Sequence, residues 1–153
     1  MGSAPIVSYH YGAGNHAELK NLFQKSLTLI STWGISLVLL AQLLAHPLSM
    51  LFVGYDAALL TMTEHGFRIY GLVYLISGFN IFGSSFFTAL NNGGVSAAIS
   101  FLRTLLFQIA AVTLLPILFG INGIWISISV AELLTLCVTV TFFLTQKKKY
   151  HYA

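Results

Sequence analysis

The sequence predicts an all-α, polytopic membrane protein with four transmembrane helices. Among its 153 residues, 57% are hydrophobic and 7% are charged, whereas about a quarter of the residues in a soluble domain carry charge. Four apolar stretches also reach roughly 20 residues, the length that a helix needs to cross the hydrocarbon core of a bilayer. We therefore expect this chain to lie in the lipid bilayer and to bind no nucleic acid. Since no nucleophile and base are paired in the sequence, we expect no enzyme either.

Short polar connections separate the spans. We place the spans at about residues 26–46, 67–90, 95–119 and 121–144. Pro47 is expected to end the first helix, because proline lacks an N–H group and disrupts a helix interior. The NNGG run at residues 91–94 breaks the chain between the second and third spans. The link after residue 119 is so short that the last two spans should form an antiparallel pair.

The basic residues predict the orientation of the chain. Five of the seven lysines and arginines lie near the two ends, at Lys20, Lys25 and residues 147–149. Positive charge flanking a span is retained in the cytoplasm. We therefore expect an integral protein of the plasma membrane, with a cytoplasmic N-terminal segment and loop at residues 1–25 and a cytoplasmic basic tail at 145–153. The connection at residues 47–66 then lies outside, either as a short interfacial helix or as a surface loop.

Polar residues recur at spacings of three and four in three of the spans, which places them on one face of each helix. The stripes are Ser77, Asn80, Ser84 and Thr88 in the second span, Ser100, Arg103, Thr104 and Gln108 in the third, and Ser129, Glu132, Thr135 and Thr139 in the fourth. Two interpretations are open. Small hydroxyl residues allow close helix packing, and a polar face also suits the wall of a hydrated cavity.

Arg103 and Glu132 are the charged members of these stripes. A charge in the middle of a span costs about 2.5 to 3.5 kcal/mol on insertion scales and is rarely left without a partner. At about 1.5 Å per residue, Arg103 lies roughly 12 Å and Glu132 roughly 18 Å from the cytoplasmic ends of their spans. These depths predict an ion pair. Its role is either to orient two helices or to handle a substrate or proton.

Four segments in this order resemble the multidrug and toxic compound extrusion (MATE) transporters. They are APIVSYHYGAGN at residues 4–15, FFTALNNGG at 86–94, the third span with Arg103 and Pro116, and FGINGIWISISVAELLT at 119–135. In the first segment, the residues that match the family pattern are Pro5, Ser8, Tyr11, Gly12, Gly14 and Asn15. Gly12 and Gly14 suit a tight turn in a loop.

The resemblance implies twelve helices in two six-helix lobes, which export amphipathic or cationic drugs in exchange for Na+ or H+. This chain would supply helices three to six of one lobe, and its basic tail favours the second lobe. It is then a fragment, and its expected partners are the missing lobe and small amphipathic or cationic compounds. The polar positions Ser77, Asn80, Ser84, Thr88, Gln108, Ser129 and Thr135 become candidates for contact with the substrate.

One departure concerns the coupling ion. Some members of the family carry an acid on the helix that corresponds to the second span, where this chain has Asn80, and an amide cannot cycle a proton. The five histidines lack metal-ligand spacing, so we expect no metal site and no cofactor beyond the coupling ion. Two alternatives remain open. One is a lipid-linked saccharide flippase of related fold, and the other is a small four-helix membrane protein acting as an assembly partner or homo-oligomer.

Overall fold

The computed structural model describes residues 2–153, and this part of the chain contains only helices and turns. The elements are α1 (Ala4–Gly12), α2 (His16–Val53), α3 (Ala57–Gly71), α4 (Val73–Ala89), α5 (Gly93–Phe101), a π-helical segment (Leu102–Phe107), α6 (Gln108–Phe119) and α7 (Ile121–Tyr150). The all-α fold class predicted from the sequence is confirmed.

Four stretches of helix are long and apolar enough to cross a membrane. They are α2, the pair α3 and α4 (Ala57–Ala89), the run from α5 to α6 (Gly93–Phe119), and α7. α3 and α4 are nearly continuous, as are α5, the π-helical segment and α6, so each of these groups acts as one span. The chain is therefore an integral membrane protein with four candidate transmembrane helices.

The first of these helices is longer than the sequence predicted. α2 runs for 38 residues and contains Pro47 in its interior, so the expected helix end at Pro47 is wrong. Membrane helices tolerate proline where neighbouring groups compensate for the lost hydrogen bond. Here His46 Nδ1 lies 2.8 Å from Glu64 Oε2 on α3, which ties the two helices together beside the proline. Asp56 then caps α3 by accepting hydrogen bonds from two backbone N–H groups.

The segment before α2 also forms a helix, α1. Pro5 lies in its first turn, where a proline is favourable because the N–H group there has no helical partner. Gly12 is the last residue of α1, whereas Gly14 adopts φ +68° in the turn that follows. Such a φ is accessible to glycine without strain. Asn15 caps α2 by accepting a hydrogen bond from Glu18 N.

An aromatic core joins the helices at the end of the bundle where both termini lie. Its buried rings come from α2, α4 and the residues after α7, and they include Phe23, Phe82, Phe86, Phe87 and Tyr152. The Tyr152 hydroxyl donates a 2.6 Å hydrogen bond to the Phe143 carbonyl. Burial raises the pKa of the Tyr152 phenol above its ordinary value. The residues after α7 are thus part of the folded core.

Helix α4 is the centre of the bundle. It packs against α2, α5 and α7, while α6 packs against α7 and α3 packs against α2. Small residues permit the closest approaches: Gly83 on α4 lies against Thr139 on α7, and Gly66 on α3 lies against the Trp125 ring. Close contact of this kind is how membrane helices gain packing energy in the absence of a hydrophobic driving force.

Candidate functional site

A polar network lies buried at the centre of the bundle, where α4, α7 and the π-helical segment meet. Asn80 on α4 is completely buried, and Glu132 on α7 is 6% exposed. The Asn80 side-chain amide donates to the Glu132 carboxylate oxygen Oε2 at 2.7 Å and to the Glu132 backbone carbonyl at 3.0 Å. Thr139, on the same helix as Glu132, donates a 3.2 Å hydrogen bond to Asn80 Oδ1. The amide is thereby fixed in one orientation.

Arg103 completes the network from the third span. Its Nε lies 2.8 Å from Glu132 Oε1 and forms an ion pair with it. Arg103 lies within the π-helical segment Leu102–Phe107, and such segments place a side chain differently from the surrounding α-helix and are frequent at functional sites. Removing one partner of a buried pair typically costs about 3 to 5 kcal/mol, because a buried charge is left uncompensated.

The Glu132 carboxylate is therefore occupied on both oxygens. Oε1 accepts from Arg103 and Oε2 accepts from Asn80. Arg103 is less constrained, because a guanidinium carries five N–H donors and only Nε has an acceptor within residues 2–153. Its side chain is 30% exposed. The network thus presents unused donors to its surroundings.

A chain of hydroxyl groups leads to this network along the contact between α4 and α5. Thr88 Oγ1 lies 2.7 Å from Ser96 Oγ, Ser96 Oγ lies 2.9 Å from Ser84 Oγ, and Ser84 Oγ lies 3.0 Å from Ser100 Oγ. Ser100 is three residues before Arg103. The hydroxyl groups therefore connect the turn after α4 with the centre of the membrane-spanning region.

Two adjacent cavities lie on this side of α4. One, of about 130 Å³, lies over the network, and the other, of about 390 Å³, lies between α4, α2 and the start of the chain. Ile81 lines both. We call this surface the α4 groove. Its lining residues are Gly2, Ser3, Ser26, Leu29, Ile30, Gly78, Asn80, Ile81, Phe82, Ser84, Ser85, Ile99, Ser100 and Arg103. Its polar groups are concentrated at the end that contains Arg103.

Comparison with known proteins identifies the family. A family model described as MatE matches residues 1–115, which cover three quarters of the chain. The chain belongs to the MATE family of transporters. No curated protein and no solved structure matches it. The matched residues of this MATE-family chain include Asn80 and Arg103, whereas Glu132 lies beyond them.

The structure brings some of the predicted site residues together and separates others. Asn80, Ser84, Thr88, Arg103 and Glu132 belong to the network or to the hydroxyl chain. The remaining candidates do not. Ser77 makes no side-chain hydrogen bond within residues 2–153. Thr135 is buried, and its hydroxyl donates to the Ala131 carbonyl of its own helix. The buried Ser129 hydroxyl has no partner in the described part of the chain. Gln108 lies on a shallow outer surface beside Thr104 and Thr113.

The residues of the first motif have structural contacts. Ser8 donates a 2.9 Å hydrogen bond to the Ala89 carbonyl at the end of α4, and the Tyr11 ring packs on Tyr150. These contacts join α1 to the ends of two spans. The motif of this MATE-family chain therefore closes the end of the bundle where the termini lie.

Sequence reasoning missed Ser85 and Ser96. Ser96 links Thr88 to Ser84, and Ser85 lines the smaller cavity. A signal for Ser96 was present, since it lies four residues before Ser100 and so extends the stripe of the third span. Ser85 follows Ser84 directly and lies off the stripe of its helix, so the spacing gave no signal for it.

Proposed function

We propose that this MATE-family chain forms part of one lobe of a cation-coupled exporter of amphipathic or cationic compounds, and that its α4 groove faces the transport path. The observation that carries the proposal is the polar network at the floor of this groove. A buried carboxylate and an arginine within a span are energetically costly, and such residues almost always face the bundle interior or a water-filled cavity. A cavity of about 130 Å³ lies beside the network, and the family membership supplies the class of function.

The groove also suggests how the chain works with a second lobe. In transporters built from two related halves, the substrate site lies at the interface of the halves near the middle of the membrane. The network lies at that depth, and its Arg103 side remains open. We propose that the missing lobe packs over the α4 groove and that both termini lie in the cytoplasm. The orientation rests on the basic residues near the two ends.

The coupling ion, Na+ or H+, is proposed to bind outside this network. Each carboxylate oxygen of Glu132 already accepts a hydrogen bond, and Asn80 provides no acid on α4. Glu132 then acts by holding Arg103 and the two helices in position.

The test is made in the cells that naturally express the chain, so that any helices that accompany it there are present. The chromosomal codon for Glu132 is changed to give Glu132→Gln, which preserves the shape of the side chain and removes its charge. We expect ethidium, a fluorescent lipophilic cation, to accumulate several-fold more than in unmodified cells, and by more than any fall in the amount of the protein in the membrane accounts for, since the lost ion pair also lowers stability. In unmodified cells, collapse of the sodium or proton gradient should raise ethidium accumulation to the same level.

Thr141→Val is the matched control. Thr141 is exposed on the same helix, and its hydroxyl bonds only a carbonyl of that helix. Ethidium accumulation in this variant should equal that of unmodified cells. If Glu132→Gln also leaves accumulation unchanged, the proposed role of the network in export is refuted. If the rise in accumulation is no larger than the fall in the amount of protein in the membrane explains, the network has a purely structural role.

A further inference from the structure

Arg103 has more hydrogen-bond donors than the protein uses. Only its Nε has an acceptor among residues 2–153, namely Glu132 Oε1. The four N–H groups of the two Nη atoms therefore remain available. They lie deep within a span, beside the smaller cavity of the α4 groove, which Arg103 itself lines. These donors are therefore free to bind a ligand that enters the cavity.

One other polar group at this cavity is a free donor. Ser85 lines the cavity, and its hydroxyl makes no hydrogen bond within residues 2–153. The Ser100 hydrogen is used within the hydroxyl chain: Thr88 donates to the Ser84 carbonyl, so Ser96 donates to Thr88, Ser84 to Ser96 and Ser100 to Ser84.

No carboxylate lines this cavity, whose lining residues are Asn80, Ile81, Ser84, Ser85, Ile99, Ser100 and Arg103. The Glu132 carboxylate instead accepts hydrogen bonds from Asn80 and from Arg103 Nε. Arg103 is the charged residue of the lining, and a positive charge beside an O–H donor recognises an anion.

We propose that the smaller cavity of the α4 groove binds a small monovalent anion on the Nη atoms of Arg103, with Ser85 as an additional donor. Its volume of about 130 Å³ accommodates a halide ion or a carboxylate group with a short substituent. The fork of the guanidinium matches the two oxygens of a carboxylate. A compound that carries both a cationic and a carboxylate group would then place its carboxylate here. This inference goes beyond the proposed function and its test does not depend on transport.

The experiment measures binding to the purified full chain in detergent. Acetate and chloride are titrated separately as sodium salts at constant sodium concentration, and the same titrations of Arg103→Gln give the reference for non-specific effects of salt. The unfolding temperature is followed by tryptophan fluorescence, because a ligand that binds only the folded state stabilises it by mass action. We expect a saturable rise in unfolding temperature. A rise with acetate alone identifies a site for carboxylate groups, and a rise with chloride identifies a site for inorganic anions; both results support the proposal.

Two substitutions give opposite expected effects. Arg103→Gln should abolish the response to both anions. Glu132→Gln should strengthen it, with an affinity increased about tenfold or more, because the carboxylate that competes for Arg103 and repels the anion is gone. Ser85→Ala should weaken binding a few-fold. The matched control is Ser36→Ala, since Ser36 is exposed on α2 and its hydroxyl bonds only a carbonyl of its own helix.

Three results would overturn the proposal. They are the absence of a response to either anion in the unmodified chain, an equal response in Arg103→Gln, and a weaker response in Glu132→Gln. The Glu132→Gln and Ser85→Ala measurements keep the test decisive if Arg103→Gln fails to fold.

Discussion

Replacing Asn80 by alanine should destabilise the bundle more than any other single loss of an amide in this chain. Asn80 is completely buried. Its side chain makes three hydrogen bonds, two to Glu132 and one from Thr139. Asn80→Ala leaves the buried Glu132 Oε2 and the buried Thr139 hydroxyl without this partner.

The magnitude follows from measured bonds between membrane helices. Such bonds contribute about 0.6 kcal/mol on average and about 1.7 kcal/mol at most. Three bonds, one of them to a charged group, therefore predict a loss of about 2 to 5 kcal/mol in the free energy of unfolding. The cavity that the missing amide leaves adds to this loss.

The assay is reversible unfolding of the purified chain in mixed micelles by increasing sodium dodecyl sulfate, followed by tryptophan fluorescence. Asn122→Ala is the matched control, since Asn122 is exposed at the start of α7 and makes no side-chain hydrogen bond within residues 2–153. A surface change of this kind should alter stability by less than about 0.5 kcal/mol. If Asn80→Ala and Asn122→Ala have equal effects, the network does not stabilise the fold and the reasoning is refuted.

Two further predictions use the same unfolding assay. Gly66→Ala should lower the free energy of unfolding by about 1 to 3 kcal/mol, because the added Cβ would lie 2.5 Å from Trp125 Cε2. The control Gly93→Ala adds its Cβ in open space and should leave stability unchanged or slightly raised. Equal effects would show that the helices separate freely at Gly66. Tyr152→Phe removes the hydrogen bond to the Phe143 carbonyl and should lower the free energy of unfolding by about 0.5 to 1.5 kcal/mol. An unchanged stability would show that the residues after α7 are not part of the core.

Hydrophobicity alone predicted the class of fold, because a bilayer requires spans of fixed length and excludes irregular backbone from lipid. The helix limits were less predictable. Pro47 lies inside α2; membrane helices tolerate an interior proline, so a proline alone does not mark the end of a span. The π-helical segment was also not predictable, because no residue type specifies it.

The candidate site was also only partly predictable from the sequence. The similar depths of Arg103 and Glu132 along two antiparallel spans predicted a contact between them. In the structure, Arg103 Nε lies 2.8 Å from Glu132 Oε1. Depth did not predict that Asn80 would be the second partner of Glu132, because the rotation of α4 about its axis is set by packing against α7. Gln108 and Ser129 satisfied the same spacing rule, yet neither side chain forms a hydrogen bond in the network.

The claim that the α4 groove is a hydrated path can be tested by the chemical accessibility of two positions. In a background in which the exposed Cys137 is replaced by serine, single cysteines are introduced as Ile81→Cys and Leu133→Cys. The two native side chains are similarly exposed, at 39% and 48%, but only Ile81 lines the groove. A charged, membrane-impermeant thiol reagent reacts with the thiolate, which forms only where water is present.

The measurement is the extent of labelling in membrane vesicles that are open to both sides. Fast labelling of Ile81→Cys and negligible labelling of Leu133→Cys is the predicted result, because one side chain faces water in the groove and the other faces lipid. Equal labelling of the two positions, or labelling of neither, would contradict the proposal that the α4 groove forms part of a transport path.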